Sequence, residues 1–194
     1  TLLPQAESTD GICRLLQLRR VAFVASEKPE MSVSAKTNQV EADMIAAMVE
    51  RIFRQADHFD DSATVGVIVP YRNQIATVRN AIDRYGIPAL HSITIDTVER
   101  FQGSQRDYII YGLTVQQRCQ LNFLTDNVFE EDGTLIDRKL NVAMTRARKH
   151  LTIVGNPDIL AGSAVYRRLM DFMKSRGCYF NVACEKFCAG DFSV

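Results

Sequence analysis

Three short blocks of this sequence combine residue types suited to handling phosphate and unpaired bases. The first, Pro70-Tyr71-Arg72-Asn73-Gln74, sets an aromatic ring beside a guanidinium, a pair able to stack on a base and neutralise its phosphate. The same residues also suit a plain turn, in which Pro70 sets the bend, Tyr71 packs, and Arg72 and Gln74 are solvated. The second block runs from Glu99 to Asp107 (ERFQGSQRD). Its Gly103 permits close backbone approach to a phosphate or ribose, and Gln102 offers both a donor and an acceptor. Asp107 is expected to be structural, fixing the loop as the next strand begins. The third block, Arg138 to Arg148 (RKLNVAMTRAR), carries Arg138, Arg146 and Arg148. A guanidinium delivered across a domain interface stabilises the charge that builds on a departing γ-phosphate, worth about 10³ to 10⁵ in rate in known cases. A helix surface laced with solvated arginines has the same composition.

Other chemistries have little support. His58, His91 and His150 are scattered, with no carboxylate or nucleophile at a telling spacing, so neither a dyad nor a metal role is expected. The five cysteines are an odd number in a chain of ordinary core composition, which points to reduced thiols; Cys178, Cys184 and Cys188 cluster near the end but lack the C-x-x-C spacing and His ligands of a zinc site. No G-x-x-x-x-G-K-[ST] loop is present, nor an apolar strand ending in Asp-Glu, so the chain is not expected to hydrolyse ATP alone. A dinucleotide oxidoreductase would need G-x-G-x-x-G after the first strand, and that pattern is absent.

The elements that must position the blocks are legible from periodicity. Apolar, β-branched runs at 19–25, 64–69, 92–98, 107–115 and 150–155 predict strands. Helical spacing predicts helices over 40–56, with Asn38 and Glu41 resembling a capping box, and over 73–85, 135–148 and 164–174. Strands alternating with helices imply an α/β fold with a parallel, doubly wound sheet, whose ligands bind beyond the carboxyl ends of the strands, where all three blocks are expected. The polar stretch 116–134 is expected to be a long, partly disordered loop. The layout expected is a leading segment 1–18, one domain at 19–177 and a tail at 178–194. The 194 residues are 46% hydrophobic and carry 23 basic against 23 acidic side chains, so any nucleic-acid contact must be local. Starting at Thr1 without a targeting arm or long apolar span, the chain is expected to be a cytoplasmic piece of a longer protein with no membrane partner.

In order, IVPYRNQ, TVERFQGSQRD and RKLNVAMTRAR followed by HLTIVGN resemble motifs IV, V and VI of the C-terminal RecA-like domain of superfamily 1 helicases, in the branch with the RNA-surveillance and replication-linked enzymes. The resemblance covers about residues 20 to 175. It implies a P-loop NTPase fold lacking its own P-loop, with ATP and Mg²⁺ bound mainly by an N-terminal RecA-like domain of the same parent chain. Arg146 would be the arginine finger. Arg138 and Arg148 would lie nearby as phosphate or interface contacts, with Gln102, Gly103 and Gln105 also on the nucleotide. Thr97, with Tyr71 and Arg72, would hold single-stranded nucleic acid, DNA ahead of RNA. Gln105 departs from the family's usual Glu and loses the charge-assisted part of a sugar contact. That departure keeps open an alternative, a non-catalytic nucleic-acid-binding or regulatory domain derived from a helicase.

Overall fold

The structure is a computed structural model that describes residues 8–29, 34–101, 104–126, 128–131 and 134–194. Six strands form one sheet: β1 (Val21–Ala25), β2 (Val65–Val69), β3 (Thr94–Thr97), β4 (Arg106–Gly112), β7 (Ala147–Gly155) and β8 (Tyr179–Asn181). Their order is β3-β2-β4-β7-β1-β8, and every pairing is parallel. A separate antiparallel hairpin joins β5 (Val128–Glu131) to β6 (Thr134–Asp137).

β2 is buried along its whole length, which is why its sequence is apolar without alternation: both faces are covered. One layer contains α1 (Gly11–Leu18), α2 (Gln39–Gln55), α3 (Arg72–Asp83) and α8 (Cys184–Ala189), packed on Ala22, Val24, Val65, Val67 and Ile110. The other contains α4 (Gln120–Leu124), α5 (Arg138–Arg146), α6 (Pro157–Leu160) and α7 (Ala164–Ser175), packed on Phe23, Ile68, Ile109, Tyr111 and Ile153. The doubly wound α/β sheet expected from the sequence is therefore the one observed. Among the described residues no helix is long and apolar enough to cross a membrane.

Four local expectations are corrected. The helix expected over 135–148 is shorter, because Asp137 caps it (Leu140 N donates to Asp137 Oδ1, 2.9 Å) and because Ala147 already pairs with Arg106 of β4. The expected 116–134 loop instead holds α4 and most of the β5–β6 hairpin. Residues 178–194 supply the edge strand β8 and the helix α8, whose Phe187 is fully buried. The leading segment supplies α1, capped by Asp10, with Ile12 and Leu15 in the core.

The capping box at α2 is made on one side only. Asn38 Oδ1 accepts from Glu41 N at 3.1 Å, but the return contact is replaced by Gln74, whose amide exchanges two hydrogen bonds of 2.8 Å with the Asn38 backbone. The Glu41 carboxyl turns inward, accepting from Ser26 Oγ (3.1 Å) and Thr114 N (2.8 Å). It thereby ties α2 to the chain leaving β4, where Thr114 holds a left-handed φ of 59°. Burial pushes the Glu41 carboxyl up to about 8, against the lowering effect of those hydrogen bonds.

Candidate nucleic-acid and nucleotide sites

All six strands are parallel, so they end at one rim. A groove of about 690 Å³ lies there, and Tyr71, Arg72 and Thr97 all line it, so the structure brings these three sequence candidates together. Tyr71 is only 9% exposed and stacks on Phe123, with ring centroids 5.0 Å apart and planes 19° from parallel. It is thus packed into the wall of the groove, as the turn alternative supposed, and Arg72 is exposed; Gln74, expected to be solvated, is instead fully buried because its amide bonds the Asn38 backbone. Thr97 is buried at the end of β3, with its backbone N–H donating to Asp96 Oδ1 at 2.8 Å. Lys36 and Arg100 join Arg72 on the lining against the single acid Glu99, so the groove favours an anion despite the chain's neutral total.

The sequence reading missed Phe123, the aromatic ring that faces this groove and is 44% exposed. Its signal was an isolated aromatic in a polar stretch. Lys139 fixes it from below: this side chain is 5% exposed, donates to Phe123 O (2.7 Å), pairs with Asp126 Oδ1 (2.9 Å), and lies 4.2 Å from the Phe123 ring centroid. Gln120 holds the same segment, accepting from Gln116 N at 2.9 Å and Gln117 N at 3.0 Å while donating to Ala35 O at 2.6 Å.

The third block does not gather at this rim, contrary to the expectation that all three blocks sit at the strand ends. α5 packs beside β7 and leads straight into it, so the helix runs back along the sheet and delivers its last residues to the strand starts. There Gln105 Nε2 donates to Thr145 O at 3.3 Å, which places Gln105 beside Arg146. Arg146 is half-buried, its Nη2 reaches Thr145 Oγ1 at 3.4 Å, and its Nε is buried without a partner. Arg148 follows on the same rim, 51% exposed in its side chain and 4.0 Å from Asp107 Oδ1. Asp107 also takes Lys149 Nζ at 2.5 Å, in keeping with a structural role.

Arg138 is not near Arg146. They are eight positions apart on the helix, about 12 Å of rise, and the Arg138 guanidinium lies 5.7 Å from the Phe129 ring centroid. Gln102 and Gly103 fall outside the described residues. The Phe101 ring occupies the space that a Cβ on Gly66 would enter at 2.5 Å. Arg106 donates to Gln105 O and Thr94 Oγ1, both at 3.0 Å. Burial, and then repulsion from Arg148, lower the Arg106 pKa. His150 is a core residue: its ring nitrogens lie 2.6 Å from Arg19 O and 2.7 Å from Thr152 Oγ1, and burial pushes its pKa down to about 4, so it is neutral.

Comparison with known proteins places this arrangement. A family model described as an AAA domain matches residues 10–158. Helicase Sen1 of Schizosaccharomyces pombe is 32% identical over 159 residues, covering 81% of this chain and 9% of that protein. Helicase SEN1 of Saccharomyces cerevisiae is 31% identical over 154 residues, 78% of this chain and 6% of its own length. The regulator of nonsense transcripts 1 homolog of Drosophila melanogaster is 36% identical over 118 residues, 58% of this chain and 9% of that protein. The chain thus spans less than a tenth of the length of these relatives.

Proposed function

Because the chain belongs to this AAA-domain family and is a superfamily 1 helicase domain of RecA-like fold, we propose that it is the second motor domain of an ATP-driven helicase or translocase. The groove grips a single strand: Phe123, backed by Tyr71, offers a ring to a base, and Arg72, Arg100 and Lys36 meet its phosphates. The strand is nucleic acid without the preference for DNA expected from the sequence, since the one substrate word among these relatives' names is "transcripts".

On the opposite rim Arg146 approaches the γ-phosphate of ATP·Mg²⁺, held mainly by an N-terminal RecA-like domain of the parent chain. Mg²⁺ neutralises phosphate charge there; Arg146 supplies the guanidinium that meets the charge developing during transfer. Its half-buried side chain and unpartnered Nε fit that task, and among the described residues it has no carboxylate partner. Arg148 and Gln105 flank it. The isolated chain is accordingly inactive.

The observation that carries this reading is that one helix serves both rims: α5 starts with Lys139 clamped to Phe123 and ends at Arg146. Domain closure on ATP that moves Arg146 therefore moves the support of the groove as well. The test is ATP turnover by the intact parent protein with and without single-stranded RNA or DNA, repeated with Arg146→Ala. Strand-stimulated turnover that drops by about 10³ in the variant is expected; turnover surviving the substitution would sink the finger assignment. The clamp alternative draws on Gln105, whose amide braces Thr145 O where a carboxylate would stand as an acceptor. An intact parent with no turnover at all would favour it.

A further inference from the structure

Cys184 and Cys188 lie one turn apart on α8, with their sulfurs 3.8 Å from each other. Both are free, half-buried thiols lining a cavity of about 390 Å³ between α2, α3 and α8, so a small reagent can reach either sulfur. The two hold their protons differently. Cys184 donates to Cys188, and this hydrogen bond keeps the Cys188 thiol below its ordinary pKa, helped by Arg51 and Arg84 and opposed by burial and Asp43. The same bond, and then burial, push the Cys184 thiol up. Cys188 is thus placed as a nucleophile, with Cys184 beside it as a resolving partner. Cys13, by contrast, is pushed up to about 11, by burial first and then by Asp10.

Residues four apart on an α-helix have Cα atoms about 6.2 Å from each other, within the span of about 4.4 to 6.8 Å that a disulfide bridges. Their Cβ atoms are set about as far apart, beyond the spacing of a relaxed disulfide, so closing the sulfurs from 3.8 Å to about 2.05 Å bends this turn of α8 and leaves a bond that is easily reduced. We propose that Cys184 and Cys188 are an oxidative modification site, at which a peroxide converts the pair to a reversible disulfide through attack by Cys188 and resolution by Cys184. The Cys188 thiolate attacks one peroxide oxygen, the O–O bond breaks, and the sulfur is oxidised to a sulfenic acid while the other oxygen leaves with the proton that Cys188 had released. The Cys184 sulfur then displaces the hydroxyl from Cys188, and the hydroxyl leaves as water with the Cys184 proton. Two thiols and one hydrogen peroxide thus give one disulfide and two waters. The cavity shares no lining residue with the groove, so the site stands apart from the motor reading.

The reduced 194-residue chain is treated with one equivalent of hydrogen peroxide, its remaining thiols are alkylated, and its peptides are mapped by mass spectrometry without reduction. A Cys184–Cys188 link should be the main product, formed at least about tenfold faster than exposed Cys119 is oxidised, and dithiothreitol should return both residues to alkylation. Cys178→Ser should form the link like the wild type. Cys184→Ser should stop at a sulfenic acid on Cys188 that dimedone traps, and Cys188→Ser should leave Cys184 reduced. Far-ultraviolet circular dichroism checks that each variant is folded. A wild type whose pair is oxidised no faster than Cys119, a link from either residue to a different cysteine, or a folded Cys188→Ser variant whose Cys184 is oxidised at the wild-type rate overturns the proposal.

Discussion

Glu41→Gln should flatten a pH dependence of stability that the wild type shows above neutrality. In the folded chain the carboxyl is pushed up to about 8 by burial, against an ordinary value of 4.5. Between those two values the folded state holds a proton that the unfolded state has released, so stability falls as pH rises. The slope is about 1.4 kcal/mol per pH unit while the folded state stays protonated. His150 acts in the opposite sense but lower down: its folded value of about 4 lies below 6.5, so its contribution grows with pH and is complete once the unfolded imidazole has titrated. His150 is the same in both proteins, so the difference between wild type and Glu41→Gln from pH 6.5 to 8 isolates Glu41. For a chain of this size the expected loss is about 3 to 6 °C in Tm per pH unit at the start of that window, fading as the carboxyl ionises. A glutamine keeps an oxygen to accept from Thr114 N and carries no proton to lose. Thermal melts of both proteins at pH 6.5, 7.2 and 8 give the result. Parallel curves for the two, or a wild type whose Tm does not move, would refute a neutral Glu41 as the tie between α2 and the Thr114 turn.

Three further outcomes test the sites and what supports them. Phe123→Ala should weaken binding of a labelled single-stranded oligonucleotide by the worth of one base–ring stack, about 1 to 3 kcal/mol, read by fluorescence anisotropy. Lys139→Met should lose affinity in the same assay by freeing Phe123, and Lys139→Arg should restore it, because a guanidinium can still donate to Phe123 O and pair with Asp126. Gly66→Ala drives a Cβ into the Phe101 ring and should cost about 1 to 3 kcal/mol in urea melts; unchanged stability would show that Phe101 is free to shift.

What the sequence discloses here follows the range of the forces involved. The run VGVIV is readable as a doubly covered strand because each residue reports its own burial. Asn38 is readable as a cap because its partner, Glu41 N, is three residues away. The end of α5 is not readable, since Ala147 continues a good helical pattern and only its pairing with Arg106 turns it into strand. The inward turn of the Glu41 carboxyl depends on Thr114, 73 residues along the chain. Tyr71 and Arg72, just past β2, and Thr97, the last residue of β3, reach one groove through strand ends that the sequence marks; Phe123 goes unmarked because its position depends on Lys139 and Tyr71, both distant in sequence.

The separation of the blocks onto two rims follows from the fold rather than from any motif. A residue at or just after the end of a parallel strand must appear at the carboxyl rim, which accounts for Tyr71 and Thr97. A residue at the end of the helix leading back into the next strand must appear at the opposite rim, which accounts for Arg146. Local order along the chain therefore assigns each motif to a face before any side chain is considered. What side chains add is the connection: buried Lys139, with its ammonium held by Phe123 O and Asp126, binds the start of α5 to the groove, and such a charge cannot leave its partners without an uncompensated desolvation cost. Phe123 is thus compelled to follow α5, and α5 carries Arg146. On the proposed reading, a motor that steps along a strand needs its nucleotide contact and its grip to move together, and nine residues of helix with one buried ammonium would couple them.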